Sequence, residues 1–283
     1  MTTTASDMTY EEISTRNGDV NLFLRSWRPT RPAGVVVIVP GFNAHSEYYG
    51  WAAEHFVKAG LAAYAVDLRG RGKSAGERFY VDTFDAYVGD AAACLAVAGE
   101  RHPGMPVFLL GHSAGGVVAC LYALEHQDQL AGLICESFAF QTPAPDLALA
   151  ALKGVAHIAP HLHVLHLKNE DFSRDPGTVE RMNADPLIAH ETQPAETIAA
   201  LVRADEHLKQ NFGRIALPVL ILHGTADKAA KADGSQFFYD HASASDKTLK
   251  LYDGYFHDLL NDVGKDVVIE DITSWITKRV DPR

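Results

Sequence analysis

Val107-Phe108-Leu109-Leu110-Gly111-His112-Ser113-Ala114-Gly115-Gly116-Val117-Val118-Ala119-Cys120 is the stretch that decides the fold. Four consecutive apolar residues, 107–110, suit a central parallel strand buried on both faces. The pattern Gly111-x-Ser113-x-Gly115 follows at once, and a helical pattern follows that. A serine at the tip of such a strand-to-helix turn sits in a strained backbone, and glycines two residues either side let strand and helix pass closely. Its hydroxyl then stands at a helix N-terminus, where unpaired backbone N–H groups favour negative charge. A solvated serine in a glycine-rich turn would also fit the five-residue pattern alone. The strand before it and the helix after it favour a nucleophile.

The same rhythm extends in both directions. Residues 8–15 and 20–27 flank Asn17-Gly18, the strongest short hairpin signal. Strands are expected at 35–39, 61–66, 107–110, 130–135, 217–223 and 248–252. Helices are expected at 46–59, capped by Gly60, and at 84–98, 234–241 and 264–280. Apolar strands separated by helices predict an α/β fold with a parallel sheet covered on both faces. Residues 138–212 break the rhythm: they show helical patterns and six prolines but no convincing strand. The expected division is a core of 1–137 and 214–283 with a helical insertion, 138–213. The insertion leaves from the end of the sixth strand, where ligands bind in such sheets, so a lid is expected.

Composition narrows the function. The chain has 283 residues, 47% hydrophobic and 22% charged, with a net charge of -11. That charge disfavours nucleic acid as a partner and gives no polybasic attraction to an anionic membrane. Cys94, Cys120 and Cys135 have no metal-ligand or disulfide spacing. The first residues, MTTTASDMTYEE, carry no apolar signal-peptide core, and no apolar run reaches membrane-spanning length. A cytoplasmic location is the expectation.

A serine nucleophile needs a base, and the base needs an orienting acid. Both must come from loops after later strands. Asp227 follows strand 217–223, and His257 follows strand 248–252. The chain order Ser113, Asp227, His257 is that of an α/β-hydrolase. Asp233, Asp240 and Asp258 are weaker acids and His241 a weaker base, since they lie in or beside helices. Two backbone N–H donors must hold the developing oxyanion. Ala114 supplies the first; Phe42, in the loop after 35–39, is the foremost candidate for the second and also a candidate wall of the acyl pocket.

Beyond this, the chain resembles the monoacylglycerol lipase and lysophospholipase branch of the α/β-hydrolases over about residues 18–278. The stretches that carry the resemblance are Asp67-Leu68-Arg69-Gly70-Arg71-Gly72-Lys73-Ser74 with Gly76-Glu77-Arg78, Pro106-Val107-Phe108-Leu109-Leu110-Gly111-His112-Ser113, Asn183-Ala184-Asp185-Pro186-Leu187, His223-Gly224-Thr225-Ala226-Asp227, and Asp246-Lys247-Thr248-Leu249-Lys250-Leu251-Tyr252. The resemblance implies a mostly parallel eight-stranded sheet with a helical cap after the sixth strand. It implies a serine hydrolase of monoacyl glycerides or similar single-chain esters, without a cofactor. Ser113, Asp227 and His257 match the family's triad, and Phe42 and Ala114 its oxyanion positions.

Departures from the family pattern bear on substrate. The loop Pro40-Gly41-Phe42-Asn43-Ala44-His45-Ser46 lacks the usual first His and second Gly, which predicts a reshaped oxyanion loop. Glu136 stands where the family has an uncharged residue. It either faces the site, favouring a hydroxyl-rich or cationic head group, or pairs outward in a salt bridge. Leu147, Leu149, Leu152, Val155 and Ile158 recur at helical spacing before Pro160 and are expected to line an acyl tunnel, touch a lipid surface transiently, or simply pack. Leu147 and Ile158 are the candidate substrate contacts among them, with Glu136. His157, His161, His163 and His166 complete no recognised metal spacing, and no metal site is expected. The competing readings are a lysophospholipase or carboxylesterase of other selectivity, and a non-catalytic ligand-binding member of the fold. A dehalogenase or epoxide hydrolase is disfavoured because those scaffolds need Asp at position 113.

Overall fold

The computed structural model describes the backbone of residues 8–140 and 146–280, and the side chains of all of these except 146–151. Its eight-stranded sheet begins with the Asn17-Gly18 hairpin. β1 (Met8–Asn17) and β2 (Val20–Pro29) pair antiparallel, with Gly18 at φ 58° in the turn. The others are β3 (Gly34–Val39), β4 (Leu61–Asp67), β5 (Val107–His112), β6 (Gly132–Glu136), β9 (Val219–Gly224) and β10 (Lys247–Tyr252). The order across the sheet is β1-β2-β4-β3-β5-β6-β9-β10, and every pair from β4 to β10 is parallel. This is the expected α/β architecture.

Alternation along the strands builds two cores. Val35, Val37 and Val39 join the cluster formed with α2 (Phe84–Arg101), α3 (Ala114–His126) and α6 (Ala195–Asn211). Val36 and Ile38 face α1 (Gly50–Lys58) and α8 (Lys265–Val280). All five are fully buried. At roughly 1.5–3 kcal/mol for each such side chain, these five alone contribute about as much as the whole net stability of a typical domain. α7 (Ala232–His241) lies between β9 and β10 on the first face through Phe238.

Three expectations are corrected. The helix expected at 46–59 is a 3-10 turn, Ser46–Tyr49, followed by α1. The Asp67 carboxylate fixes that turn by accepting from the Ser46 N–H at 2.7 Å. Residues 138–212 do contain strands: β7 (His163–Leu165) and β8 (Gln193–Pro194) form a two-stranded antiparallel sheet. Pieces of three and two residues, one of them a proline, leave no periodicity to read. The hairpin strands also run two residues further than expected: β1 stays paired into the turn at Asn17↔Val20, and β2 stays paired out to Met8↔Pro29.

Between β6 and β9 the chain forms α4 (Asp146–Ile158), α5 (Pro176–Ala184) and α6. α4 stops two residues before Pro160, as proline requires. α6 packs on α3 through Ile198, Leu201 and Leu208, and α4 rests on α6 through Ala156 and Ala199. No helix among the described residues is long and apolar enough to cross a membrane.

Candidate active site

The turn after β5 places Ser113 at φ 55° and ψ -121°, a left-handed backbone that costs a non-glycine residue about 1–3 kcal/mol. The surroundings enforce it. The Ser113 N–H donates to the Glu136 carbonyl at 2.9 Å, and its carbonyl accepts from Gly116 at 2.9 Å. A side chain at Gly115 would collide with the Val39 carbonyl, and one at Gly111 with the Gly115 carbonyl. A methyl on Gly41 would lie 2.7 Å from the Ser113 Cβ. The spacing of glycines therefore has a steric cause on both sides of the turn.

Ser113, His257 and Asp227 meet above the C-terminal edge of the sheet. The Ser113 hydroxyl lies 2.8 Å from His257 Nε2, and His257 Nδ1 lies 2.7 Å from Asp227 Oδ2. A carboxylate only accepts, so Nδ1 must carry the proton and Nε2 is left to accept from Ser113. Burial pushes the Asp227 carboxyl up, but the nearby His257 and His223 outweigh it and hold it well below the usual range. The Ala229 and Ala230 N–H groups also donate to its Oδ1, at 2.8 and 2.9 Å. Phe172 packs edge-on against the imidazole at 4.9 Å.

Sequence reasoning missed His223. It is fully buried in β9, with Nε2 3.0 Å from Asp227 Oδ2 and Nδ1 2.7 Å from Ser235 Oγ. With Nε2 donating to the carboxylate, Nδ1 accepts from the Ser235 hydroxyl. The i,i+4 spacing to Asp227 was visible in the sequence, but nothing there says that β9 ends so as to fold the loop back on it.

The alternatives considered for the acid and base turn elsewhere. Asp258 takes the side-chain amide of Asn261, Asp240 that of Gln236, and His241 meets the Phe237 carbonyl. Ala114 opens α3, so its N–H has no acceptor within that helix. Phe42 is buried beside Gly41, with its ring on the wall of a cavity of about 60 Å³. Ala139, Phe140, Leu165, Leu167 and Leu201 line the cavity together with Ser113 and His257.

The candidate substrate contacts fare differently. Ile158 is 85% exposed and does not line the cavity, because α4 turns that face outward. The Leu147 and Leu149 side chains lie outside the described residues. Glu136 neither faces the cavity nor pairs outward. It shares the parity of Ile134, which faces α1 and α8, whereas Cys135 faces the other core. Its Oε1 accepts from the Leu260 N–H at 3.3 Å, and its Oε2 has no hydrogen-bond partner among the described residues. His112, Glu136 and Asp258 bring their donor atoms within 4.8 Å of one another, all buried. Burial pushes Glu136 well above the usual carboxyl range and Asp258 up to about 6, and pushes His112 well below its ordinary value. Ionisation of Glu136 is therefore disfavoured, all the more because a second enclosed carboxyl, Asp258, lies beside it. His161 instead meets Glu77, His163 meets Thr192, and His166 donates to the Glu191 carbonyl.

The family described as "Serine aminopeptidase, S33" matches residues 30–264. The chain belongs to that family. Monoacylglycerol lipase of Mycolicibacterium smegmatis is 31% identical over 266 residues, 93% of this chain and 95% of that protein. Monoglyceride lipase of Homo sapiens is 31% identical over 264 residues, 91% of this chain and 87% of that protein. The crystal structure of the Paleococcus ferrophilus monoacylglycerol lipase superposes with a TM-score of 0.82 at 29% identity, covering 91% of this chain and 99% of that one. Each of these three covers more than nine-tenths of this chain.

Proposed function

We propose that this chain is a serine hydrolase that cleaves the acyl ester of monoacylglycerols. The reading rests on an unbroken hydrogen-bonded relay, Ser113 to His257 to Asp227, opening onto an apolar cavity. In this reading Ser113 Oγ attacks the ester carbonyl as His257 Nε2 takes its proton. Asp227 holds the tautomer and stabilises the imidazolium that forms. The Phe42 and Ala114 N–H groups receive the oxyanion. His257 then gives its proton to the departing glycerol oxygen, leaving an acyl-enzyme. Water, deprotonated by His257, releases the fatty acid.

The family is described as one of peptidases, and the cavity argues for an ester instead. An aminopeptidase must pair the substrate's terminal ammonium, which calls for a carboxylate or carbonyl cluster near the nucleophile. None of the described residues that line the cavity is a carboxylate. Relatives named as monoacylglycerol lipases, at about 30% identity over nearly the full chain, point the same way.

We further take residues 138–213 as a cap over a core of 1–137 and 214–283. A cavity of about 60 Å³ is small beside the roughly 300 Å³ or more of ordinary ligand sites, so a long acyl chain requires this cap to shift. Val155, Ile158, Leu162 and Val164, all exposed along the stretch from α4 to β7, suit transient contact with a lipid surface. The same small volume favours a second reading, a carboxylesterase of short acyl groups. Hydrolysis of monoacylglycerols from short to long chain, beside di- and triacylglycerols and lysophosphatidylcholine, separates the two. Turnover confined to short p-nitrophenyl esters would overturn the first reading, and full turnover by Ser113→Ala would overturn both.

A further inference from the structure

The loop that carries Phe42 is tied to the segment between β6 and β9 by a buried polar cluster. Asn43 has a left-handed backbone, φ 52°, and its N–H donates to Glu191 Oε1 at 3.0 Å. The same oxygen accepts from Arg71 Nη1 and, at 2.8 Å, from Gln193 Nε2. Arg71 in turn donates from Nη2 to Gln193 Oε1 at 2.8 Å and from Nε to the Tyr87 hydroxyl at 3.1 Å. Its guanidinium lies over the Phe42 ring, 4.4 Å from the centroid. Arg71, Glu191 and Gln193 are all at most 2% exposed. The Asn43 amide group adds bonds to the Leu167 carbonyl at 3.1 Å and to Asn169 Oδ1 at 2.9 Å.

Phe42 is therefore gripped on both sides. Arg71 covers its ring, and Glu191 holds the peptide that follows it. Glu191 touches neither the cavity nor the reacting atoms, yet it fixes the plane of the Phe42–Asn43 peptide in a strained loop. The orientation of the Phe42 N–H, one peptide earlier, has only the Phe42 dihedrals left to vary.

We propose that Glu191 is a positioning residue: its carboxylate holds the oxyanion loop so that the Phe42 N–H points at the developing charge. The inference rests on the hydrolase reading above. Its consequence is that the oxyanion site is complete only while the chain around Glu191 sits against the core, 148 residues from Asn43 in sequence. A single truncation of Glu191 would leave Arg71 as a buried, unpaired charge, so both charges are best removed together.

The test compares two double variants, Arg71→Leu/Glu191→Gln and Arg71→Leu/Glu191→Leu. The first keeps an amide oxygen to accept from the Asn43 N–H; the second does not. The expected result is a kcat about 30- to 100-fold lower in the second than in the first, with KM within about threefold, just below the loss of one whole oxyanion donor because the Phe42 N–H is misaimed and not removed. Affinity for a trifluoromethyl ketone, whose adduct with serine places an oxyanion in the same site, should weaken by a similar factor. Glu191→Asp in the native background keeps both charges but draws the shared oxygen back from Asn43 and Arg71 alike. It is expected to lower kcat and ketone affinity together by roughly tenfold, and serves if the leucine variant does not fold. Equal kcat in the two double variants, a loss confined to KM, or a Glu191→Asp enzyme like the native one overturns the proposal. Ser113→Ala in the same assay keeps the two readings apart: if it is inert while the double variants agree, only the role of Glu191 is lost.

Discussion

Replacing Asp258 by asparagine should make the protein more stable, and increasingly so as pH rises. The side chain is 3% exposed, beside Glu136 and His112, and burial raises its carboxyl from 3.8 to about 6. A carboxyl raised in the folded state favours folding while protonated and opposes it once ionised. The penalty is absent below 3.8, grows between 3.8 and 6, and is complete above 6. At pH 7.5 it approaches the full difference between the two values, on the order of 3 kcal/mol; at pH 5, where the folded group is still mostly protonated, it is roughly half of that. Asparagine has nothing to ionise and keeps one oxygen for the Asn261 amide that Asp258 now receives at 3.0 Å. Any cost of the amide itself is independent of pH, so the change with pH carries the test. The advantage of Asp258→Asn over the native protein should increase by roughly 1–2 kcal/mol from pH 5 to pH 7.5. For a chain of this length that is a gap in Tm wider by roughly 3 °C. Scanning calorimetry of both proteins at half-unit pH steps measures it. A gap that stays constant, or narrows as pH rises, would refute the assignment of a desolvated charge to this cluster.

Ser113→Ala should lower kcat for ester hydrolysis by at least about 10⁴-fold with little change in Tm, measured by p-nitrophenyl ester turnover and differential scanning. Asp227→Asn should cost roughly 10³- to 10⁴-fold in kcat, because an amide facing His257 Nδ1 stabilises the wrong tautomer and cannot balance the imidazolium. His223→Phe, which removes the second histidine from Asp227, should raise the pH at which the carboxylate forms and weaken activity chiefly on the acid side of the kcat profile. Leu201→Ala should enlarge the cavity and shift preference toward longer acyl chains, read as the ratio of kcat/KM across a chain-length series.

The sheet and the three relay positions were legible because each rests on local pattern. Four apolar residues before Gly111 mark a buried strand, and Asp227 and His257 stand in loops just past strands, where the fold gathers its ligands. Ser113 can then be placed with no knowledge of its neighbours. What could not be read depends on pairings across long sequence separation. Asn43 and Glu191 are 148 residues apart, and no local rule links a left-handed loop residue to a carboxylate beyond α5. Glu136 shows a different limit. β6 is buried on both faces along all five residues, so its apolar run carries no alternation to say which way the sixth strand's last side chain points. Only the packing of Ile134 against α1 and α8 fixes that parity, and it turns Glu136 away from the acyl cavity and toward Asp258. A charged residue at the end of a wholly apolar strand is thus ambiguous in sequence for the same reason that the strand itself is easy to recognise: both faces must be covered, and either face can bury the exception.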